Sequence, residues 1–253
     1  MFADERRAKI VQLLQENGSV SVSGLTQMFQ ISTETARRDL SVMEANGQLT
    51  RVHGGAIIAR GMSKSTDYTV RLHENHAEKR ELCETALALI EEGDAIFLDC
   101  GTTALELAHL IAARGSALSV VTNSVEVLEV LASVKDIQVI MVGGNYFPAE
   151  RAVFGYHAVE TVRAFHVEKA FIFPAAINVR DGVCCCEEPI VPLHRAMMQS
   201  ADQVFLLADG SKLGKSAFYK VCPLGGNMSI VTDKSADAVM CRVFEDAGIR
   251  VIK

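Results

Sequence analysis

The chain has 253 residues, long enough for one small and one ordinary-sized domain, and carries a formal net charge of −6. It is 49% hydrophobic, yet no run of about 18 apolar residues occurs, which excludes a membrane-spanning helix. The charge is uneven: residues 1–60 hold seven Lys/Arg against six Asp/Glu, a local +1, which leaves −7 for the rest. An acidic body with a mildly basic head is compatible with nucleic-acid binding, because the local field matters more than the total. The first residues, Met1 to Arg7, are charged and lack the apolar stretch of a signal peptide, which argues for a cytoplasmic protein. The seven cysteines form no CxxC pair and are expected to be reduced thiols. Cys184, Cys185 and Cys186 are consecutive, so their side chains diverge and no metal site is expected there.

In chain order, a helix is predicted from about Asp4 to Glu16, with Ile10, Leu13 and Leu14 on one face and Asn17-Gly18 as its stop. Val22, Leu25, Met28 and Phe29 mark a second, short helix. A tight connection leads into a third, for which Ser32 is the N-cap, since its hydroxyl can accept a backbone N–H left free by the first turn. Ala36, Leu40 and Met43 make its apolar stripe, and Glu34, Arg37, Arg38, Ser41 and Ala45 fall opposite. Two arginines near the start of an exposed helix suit phosphate oxygens and the guanine edge, because the planar guanidinium bonds bidentately. Asn46-Gly47 closes this helix. Gln48 to Val52, a His53-Gly54-Gly55 turn and Ala56 to Ile58 read as a β-hairpin, the wing of a winged helix-turn-helix, with Arg51 and His53 at its tip. Plain turn chemistry would also account for His53. The domain expected is 1–58, with the helix-turn-helix at about 20–39.

Residues 59–76 read as a linker, being polar with little apolar periodicity. From 77 to 253 helices and apolar strands alternate. Helices are predicted over Ala77–Glu92, Thr102–Ala113, a stretch carrying Val125, Leu128, Leu131 and Ala132, and near 157–164, 188–201 and 235–247. Strands are predicted at Ala95–Leu98, Leu118–Val121, Ile137–Val142, Ala170–Phe173, Val204–Leu207, Ser229–Val231 and Ile249–Ile252. Alternation of this kind gives an α/β domain with a mostly parallel sheet, whose ligands bind beyond the carboxyl ends of the strands.

Four of those ends carry polar or glycine loops. Asp99, Gly101, Thr102 and Thr103 follow the first strand and open a helix, where free N–H groups and hydroxyls make an anion seat. Thr122, Asn123 and Ser124 follow the second, Gly143 and Gly144 the third, and Asp209 to Lys212 add an ammonium at a fourth. Ordinary helix capping accounts for any one of these loops; three of them with Lys212 on one edge point to a pocket for a phosphate with a sugar-like body. No cofactor is implied: G-x-G-x-x-G and G-x-x-x-x-G-K-[ST] are absent from the strand ends, as are H-E-x-x-H and G-x-S-x-G.

Thr35-Ala36-Arg37-Arg38-Asp39-Leu40, followed by Leu49, Arg51 and His53-Gly54-Gly55-Ala56, resembles the head of the DeoR family of bacterial transcriptional regulators. The resemblance continues through Arg71, Asn75 and Lys79, for which a structural role, docking head onto body, is the expectation, then Asp99 to Thr103, Thr122 to Ser124, Gly143-Gly144, Gly155 and Ser211-Lys212. It departs at Phe173 to Ile177 and at Cys184 to Glu188, near the expected sugar end of the pocket. The resemblance implies operator contacts from Thr33, Glu34, Thr35, Arg37 and Arg38, with Arg51 and His53 on the wing. It implies a sensor domain similar in fold to ribose-5-phosphate isomerase, with Asp99, Gly101, Thr102, Thr103, Thr122, Asn123, Ser124, Gly143, Gly144 and Lys212 around a phosphorylated sugar or polyol. It also implies a homo-oligomeric repressor of a carbohydrate catabolic operon, with double-stranded operator DNA as partner and no enzymatic activity. The competing expectation is an isomerase-type enzyme using Asp99, Glu187 or Glu188 and Lys212 as acid and base; the first sixty residues would then have no purpose.

Overall fold

The computed structural model describes residues 3–17, 19–45, 49–52, 54–58, 62–63 and 67–253. Gly18, Asn46, Gly47 and His53, named above as helix stops and wing tip, lie outside the described residues. The chain divides into two compact units, Met1–Gly61 and Met62–Lys253.

The first unit holds α1 (Ala3–Asn17), β1 (Ser19–Ser21), α2 (Val22–Phe29), α3 (Thr33–Ala45), β2 (Leu49–Val52) and β3 (Gly55–Ile58). Its core is the predicted one: Ile10 and Leu14 of α1, Leu25 of α2 and the Ala36, Leu40 and Met43 stripe of α3 are buried together with Leu49 and Ala56. Ser32 accepts the Thr35 N–H at 3.1 Å, as an N-cap should. The hairpin β2–β3 is antiparallel, and β1 adds a third strand on the far side of β3. That strand requires Gly55, because a Cβ there would lie 2.0 Å from the Val20 carbonyl oxygen. Asp39, on the inner side of α3, takes Arg6 at 2.6 Å and Arg7 at 3.1 Å, so a buried ion cluster ties α1 to the arginine-bearing helix.

The second unit runs β4 (Met62–Ser63), α4 (Tyr68–His73), α5 (His76–Leu87), β5 (Ala95–Leu98), α6 (Thr102–Arg114), β6 (Leu118–Thr122), α7 (Val125–Leu131), β7 (Ile137–Met141), β8 (Asn145–Phe147), β9 (Ala152–Phe154), α8 (Tyr156–Arg163), β10 (Val167–Ile172), β11 (Ala176–Asn178), β12 (Gly182–Cys185), α9 (Ile190–Gln199), β13 (Ala201–Leu207), β14 (Ser216–Ala217), β15 (Tyr219–Cys222), β16 (Met228–Val231), α10 (Ala238–Asp246) and β17 (Arg250–Ile252). Seven strands form one fully parallel sheet in the order β17-β16-β13-β10-β5-β6-β7. Side-chain alternation along each strand feeds two cores. Ile96, Leu98, Phe171 and Phe205 pack with Leu82, Leu107 and Val127 of α5, α6 and α7. Phe97, Ala170, Ile172 and Val204 pack with Val159, Leu193 and Phe244 of α8, α9 and α10. Helices on both faces and a strand order that reverses beside β5 make a doubly wound sheet whose switch point lies between β5 and β10.

The structure also shows pieces without a helical or long-strand signature. β8 and β9 form a hairpin, and β11, β12 and β15 form a small antiparallel sheet. β12 contains Cys184 and Cys185, whose side chains point into different apolar clusters as consecutive strand residues must. All seven cysteines are free thiols, and no group of potential metal ligands occurs among the described residues. The stretch read as a linker carries more structure than its composition suggests. β4 pairs in parallel with β14, and α4 begins at an Asp67 cap and buries Tyr68. No helix among the described residues is long and apolar enough to cross a membrane.

Candidate functional site

Two sites emerge, one on each unit. On the first, burial of the Ala36, Leu40 and Met43 stripe turns the opposite side of α3 outward. Thr33, Glu34, Arg37 and Arg38 are exposed, and Thr35 is half-buried with its hydroxyl 2.8 Å from the Ser32 cap. Arg51 does not stand at the wing tip. It lies in β2 opposite Ala56, its N–H donates to Glu44 at 2.8 Å, and its guanidinium donates to Ser41 of α3 at 2.6 Å. The strand pairing sets it two residues short of the turn, within reach of α3, so its charge sits beside the two arginines.

The second site lies beyond the carboxyl ends of the strands at the switch point, where a doubly wound sheet binds its ligands. Asp99, at the end of β5, is buried; its Oδ2 accepts from His194 Nε2 at 2.8 Å and from the Phe173 N–H at 3.3 Å. Gly101 caps α6 with φ +117°, a conformation that favours glycine, and Thr102 and Thr103 are buried in the first helical turn. Helix geometry leaves the first N–H groups of α6 without intrahelical partners, at the positive end of its dipole. Thr122 and Ser124 have capping duties. Thr122 Oγ1 accepts from the Ser124 N–H at 3.1 Å, and Ser124 Oγ accepts from the Val127 N–H at 3.3 Å. Asn123 between them is buried; its Nδ2 donates to the Val153 carbonyl at 3.4 Å. Gly144 has a local reason to be glycine, because a Cβ there would lie 2.5 Å from the Phe154 carbonyl oxygen of the β8–β9 hairpin. Gly143 is exposed with open space around it.

Lys212 ends a 3-10 turn capped by Asp209, with its ammonium 4.0 Å from the Asp209 carboxylate. Its side chain keeps 28% exposure, but its surroundings withhold water from the ammonium. That desolvation lowers its pKa, and the Arg71 charge lowers it further against the pull of Asp209. Lys79 is pushed down to about 8, first by burial and then by the Lys212 charge. Its ammonium donates to the Arg71 carbonyl. Arg71 bonds Glu150 at 2.7 Å, while its Nε is buried without a hydrogen-bond partner among the described residues. Burial pushes the Glu150 carboxyl up, against the lowering effect of Arg71. Asn75, in a left-handed conformation at the start of α5, donates to Asp209 and Ser211 at 3.3 Å each. Lys79 and Lys212, both held down by burial and by the neighbouring Arg71 charge, lie with that guanidinium where an anion of high charge density could be met.

Arg71, Asn75 and Lys79 were visible in the sequence as a signature but not as part of the crevice. Glu150 and His194 gave no such sign. His194 falls between Leu193 and Met197 on an apolar helix, and a polar residue on a buried helical face was the one available clue.

Residues 6–61 match the family model described as a DeoR-like helix-turn-helix domain, and residues 74–234 match the DeoR C terminal sensor domain. The chain is 35% identical over 237 residues to the transcriptional repressor AccR of Agrobacterium fabrum, covering 93% of this chain and 92% of that one. It is 31% identical over 253 residues to the HTH-type transcriptional repressor GlcR of Bacillus subtilis, covering 100% and 96%. It is 30% identical over 250 residues to a putative aga operon transcriptional repressor of Escherichia coli O157:H7, covering 98% and 93%. A ribose 5-phosphate isomerase A structure from Methanocaldococcus jannaschii superposes on 55% of each chain with 15% identity and a TM-score of 0.42, too loosely to bear on function.

Proposed function

The chain belongs to the DeoR family of transcriptional regulators, and on that premise we propose that it is a repressor of a carbohydrate catabolic operon, released from its operator by a phosphorylated sugar or polyol. The relatives named above are regulators, and no isomerase activity is proposed. The DNA half of the reading rests on α3, which is held by a buried stripe and presents Arg37 and Arg38 to solvent. Thr33, Glu34 and Thr35 begin the same helix and reach base edges beside them, while Arg51 supports them from β2. A single winged domain per chain reads one half-site, so the active species is a homo-oligomer with two-fold symmetry. The place of action is the cytoplasm, where operator DNA and phosphorylated intermediates meet.

The effector half rests on Arg71, Lys79 and Lys212 lying close together beside Asp209, with Arg71 paired to Glu150, whose carboxyl also feels the Asp99 charge at the end of β5. A phosphate accepts from the cations and from the α6 N-terminus, and the hydroxyl-bearing body faces the buried polar side chains. Gly143 and Gly144 border the third strand end. The effector acts by linkage, binding the DNA-incompetent population more tightly; about 1.4 kcal/mol of differential affinity shifts the ratio roughly tenfold.

Arg38→Ala tests the reading. It removes an exposed guanidinium and is expected to weaken operator binding by about tenfold to a hundredfold at fixed salt, with effector binding unchanged. Fluorescence anisotropy on upstream DNA measures the first and calorimetry the second. Unchanged DNA affinity in that variant overturns the assignment of α3 as the recognition helix.

A further inference from the structure

At the switch point the protein uses only half of a buried carboxylate. Asp99 is 1% exposed. Its Oδ2 takes the His194 ring and the Phe173 N–H, whereas Oδ1 has no hydrogen-bond partner among the described residues. A buried acceptor left this way is costly unless something else meets its lone pairs. The next strand end repeats the pattern. Asn123 anchors itself through Nδ2 on the Val153 carbonyl, and its Oδ1 is buried and unpartnered. The Cys100 thiol lies within hydrogen-bonding reach of both side chains, which brings Asp99 and Asn123 together at neighbouring strand ends. Among the buried nitrogens without a partner among the described residues, Arg71 Nε belongs with the cations.

His194 is what orients Asp99. The ring is 2% exposed on α9, where Leu193 and Met197 are buried too, and its Nδ1 has no hydrogen-bond partner among the described residues, so Asp99 is its one polar tie. With Nε2–H donating to Oδ2, the carboxylate plane is fixed and Oδ1 stays available. We propose that His194 is a positioning residue for effector recognition. It locks Asp99 so that Oδ1, with Asn123 Oδ1 beside it, accepts two hydroxyl protons of the ligand. The recognised part of the effector is then a pair of hydroxyls on neighbouring carbons, and its phosphate lies at the Arg71–Lys212 end, away from the Asp99 charge. This rests on reading the crevice as the sensor site.

The test is calorimetry on the full-length protein with inorganic phosphate, glycerol 3-phosphate, ribose 5-phosphate, glucose 6-phosphate and the 2-deoxy forms of the last two. Wild type is compared with His194→Leu, His194→Gln and Asp99→Asn, each checked for native circular dichroism. The best hydroxyl-bearing probe is expected to lose about tenfold to a hundredfold in affinity in His194→Leu and in Asp99→Asn. His194→Gln, which can still donate to Oδ2, is expected to restore most of that loss. Affinity for inorganic phosphate stays the same in both His194 variants. A His194→Leu protein that is folded and binds every probe like wild type overturns the proposal and leaves the sensor reading intact. So does an equal loss for inorganic phosphate, which marks His194 as merely structural. If wild type binds none of the probes, the sensor reading fails first and the proposal falls with it. Should His194→Leu not fold, the comparison of His194→Gln with Asp99→Asn decides: Gln retaining and Asn losing discrimination against the 2-deoxy probes supports the proposal, and equal behaviour overturns it.

Discussion

The two units hold their cations in opposite ways. On α3, Arg37 and Arg38 are exposed and have no ion pair among the described residues. In the sensor, Lys79 and Lys212 lie close to Arg71, and burial strips water from both ammonium groups. An extended polyanion such as DNA is met by cations that stay hydrated until contact and release counterions on binding. A small anion is held by cations that the fold has already desolvated and aimed. The first arrangement costs little stability and leaves affinity salt-dependent; the second costs stability in the free protein, and a bound anion relieves the cost.

The largest effect expected of breaking this contrast is at the base of α3. Asp39→Ala removes the buried carboxylate that Arg6 and Arg7 share, and the loss of one partner of a buried pair costs about 3–5 kcal/mol. Hydrogen exchange should show α3 amide protection falling by a hundredfold or more on the order of that energy, while β5 amides keep theirs. Equal protection in α3 would mean that the cluster does not hold the helix.

A smaller effect belongs to Lys79. Its folded pKa of about 8 lies below the ordinary 10.5, so between those values the unfolded chain holds the extra proton. The burial penalty is full below pH 8, and stability rises with pH from there towards 10.5, by up to about 3 kcal/mol. Lys79→Met should flatten that rise in urea midpoints measured across the window. Because a bound phosphate favours the charged lysine, effector affinity should weaken over the same rise. A variant with the wild-type slope would remove Lys79 from the cationic seat.

The smallest concerns the cap. Ser32→Ala deletes the acceptor of the Thr35 N–H and should cost about 1 kcal/mol in the head, read as a lower urea midpoint of the α3 signal. No change would mean that Thr35 or a neighbour replaces the cap.

The same contrast explains what could be read in advance. The α3 stripe and the β5 strand, found over the predicted residues Ala95–Leu98, are local patterns, and periodicity reports them directly. The seven parallel strands followed from apolar runs between helices. β1, β8, β9 and the sheet of β11, β12 and β15 did not, because these short strands lack a continuous apolar run set between helices and owe their pairing to the chain around them. At the sensor site, loop residues next to strands were legible, since strand ends announce themselves. His194 was not: its partner Asp99 is 95 positions away, and only the fold brings them together. Arg51 was misplaced for a related reason, since the register of the hairpin decides whether a residue near a turn stands at its tip.

The central claim is that the anion seat in the sensor controls DNA binding by the head. The most direct measurement is the anisotropy of labelled upstream DNA with saturating protein at fixed salt, titrated with pentose, hexose and polyol phosphates and with their unphosphorylated parents. The account predicts release by one phosphorylated compound, none by its parent, and none in Lys212→Ala at the same concentration. Release by the unphosphorylated parent, or undiminished release in Lys212→Ala, would contradict it.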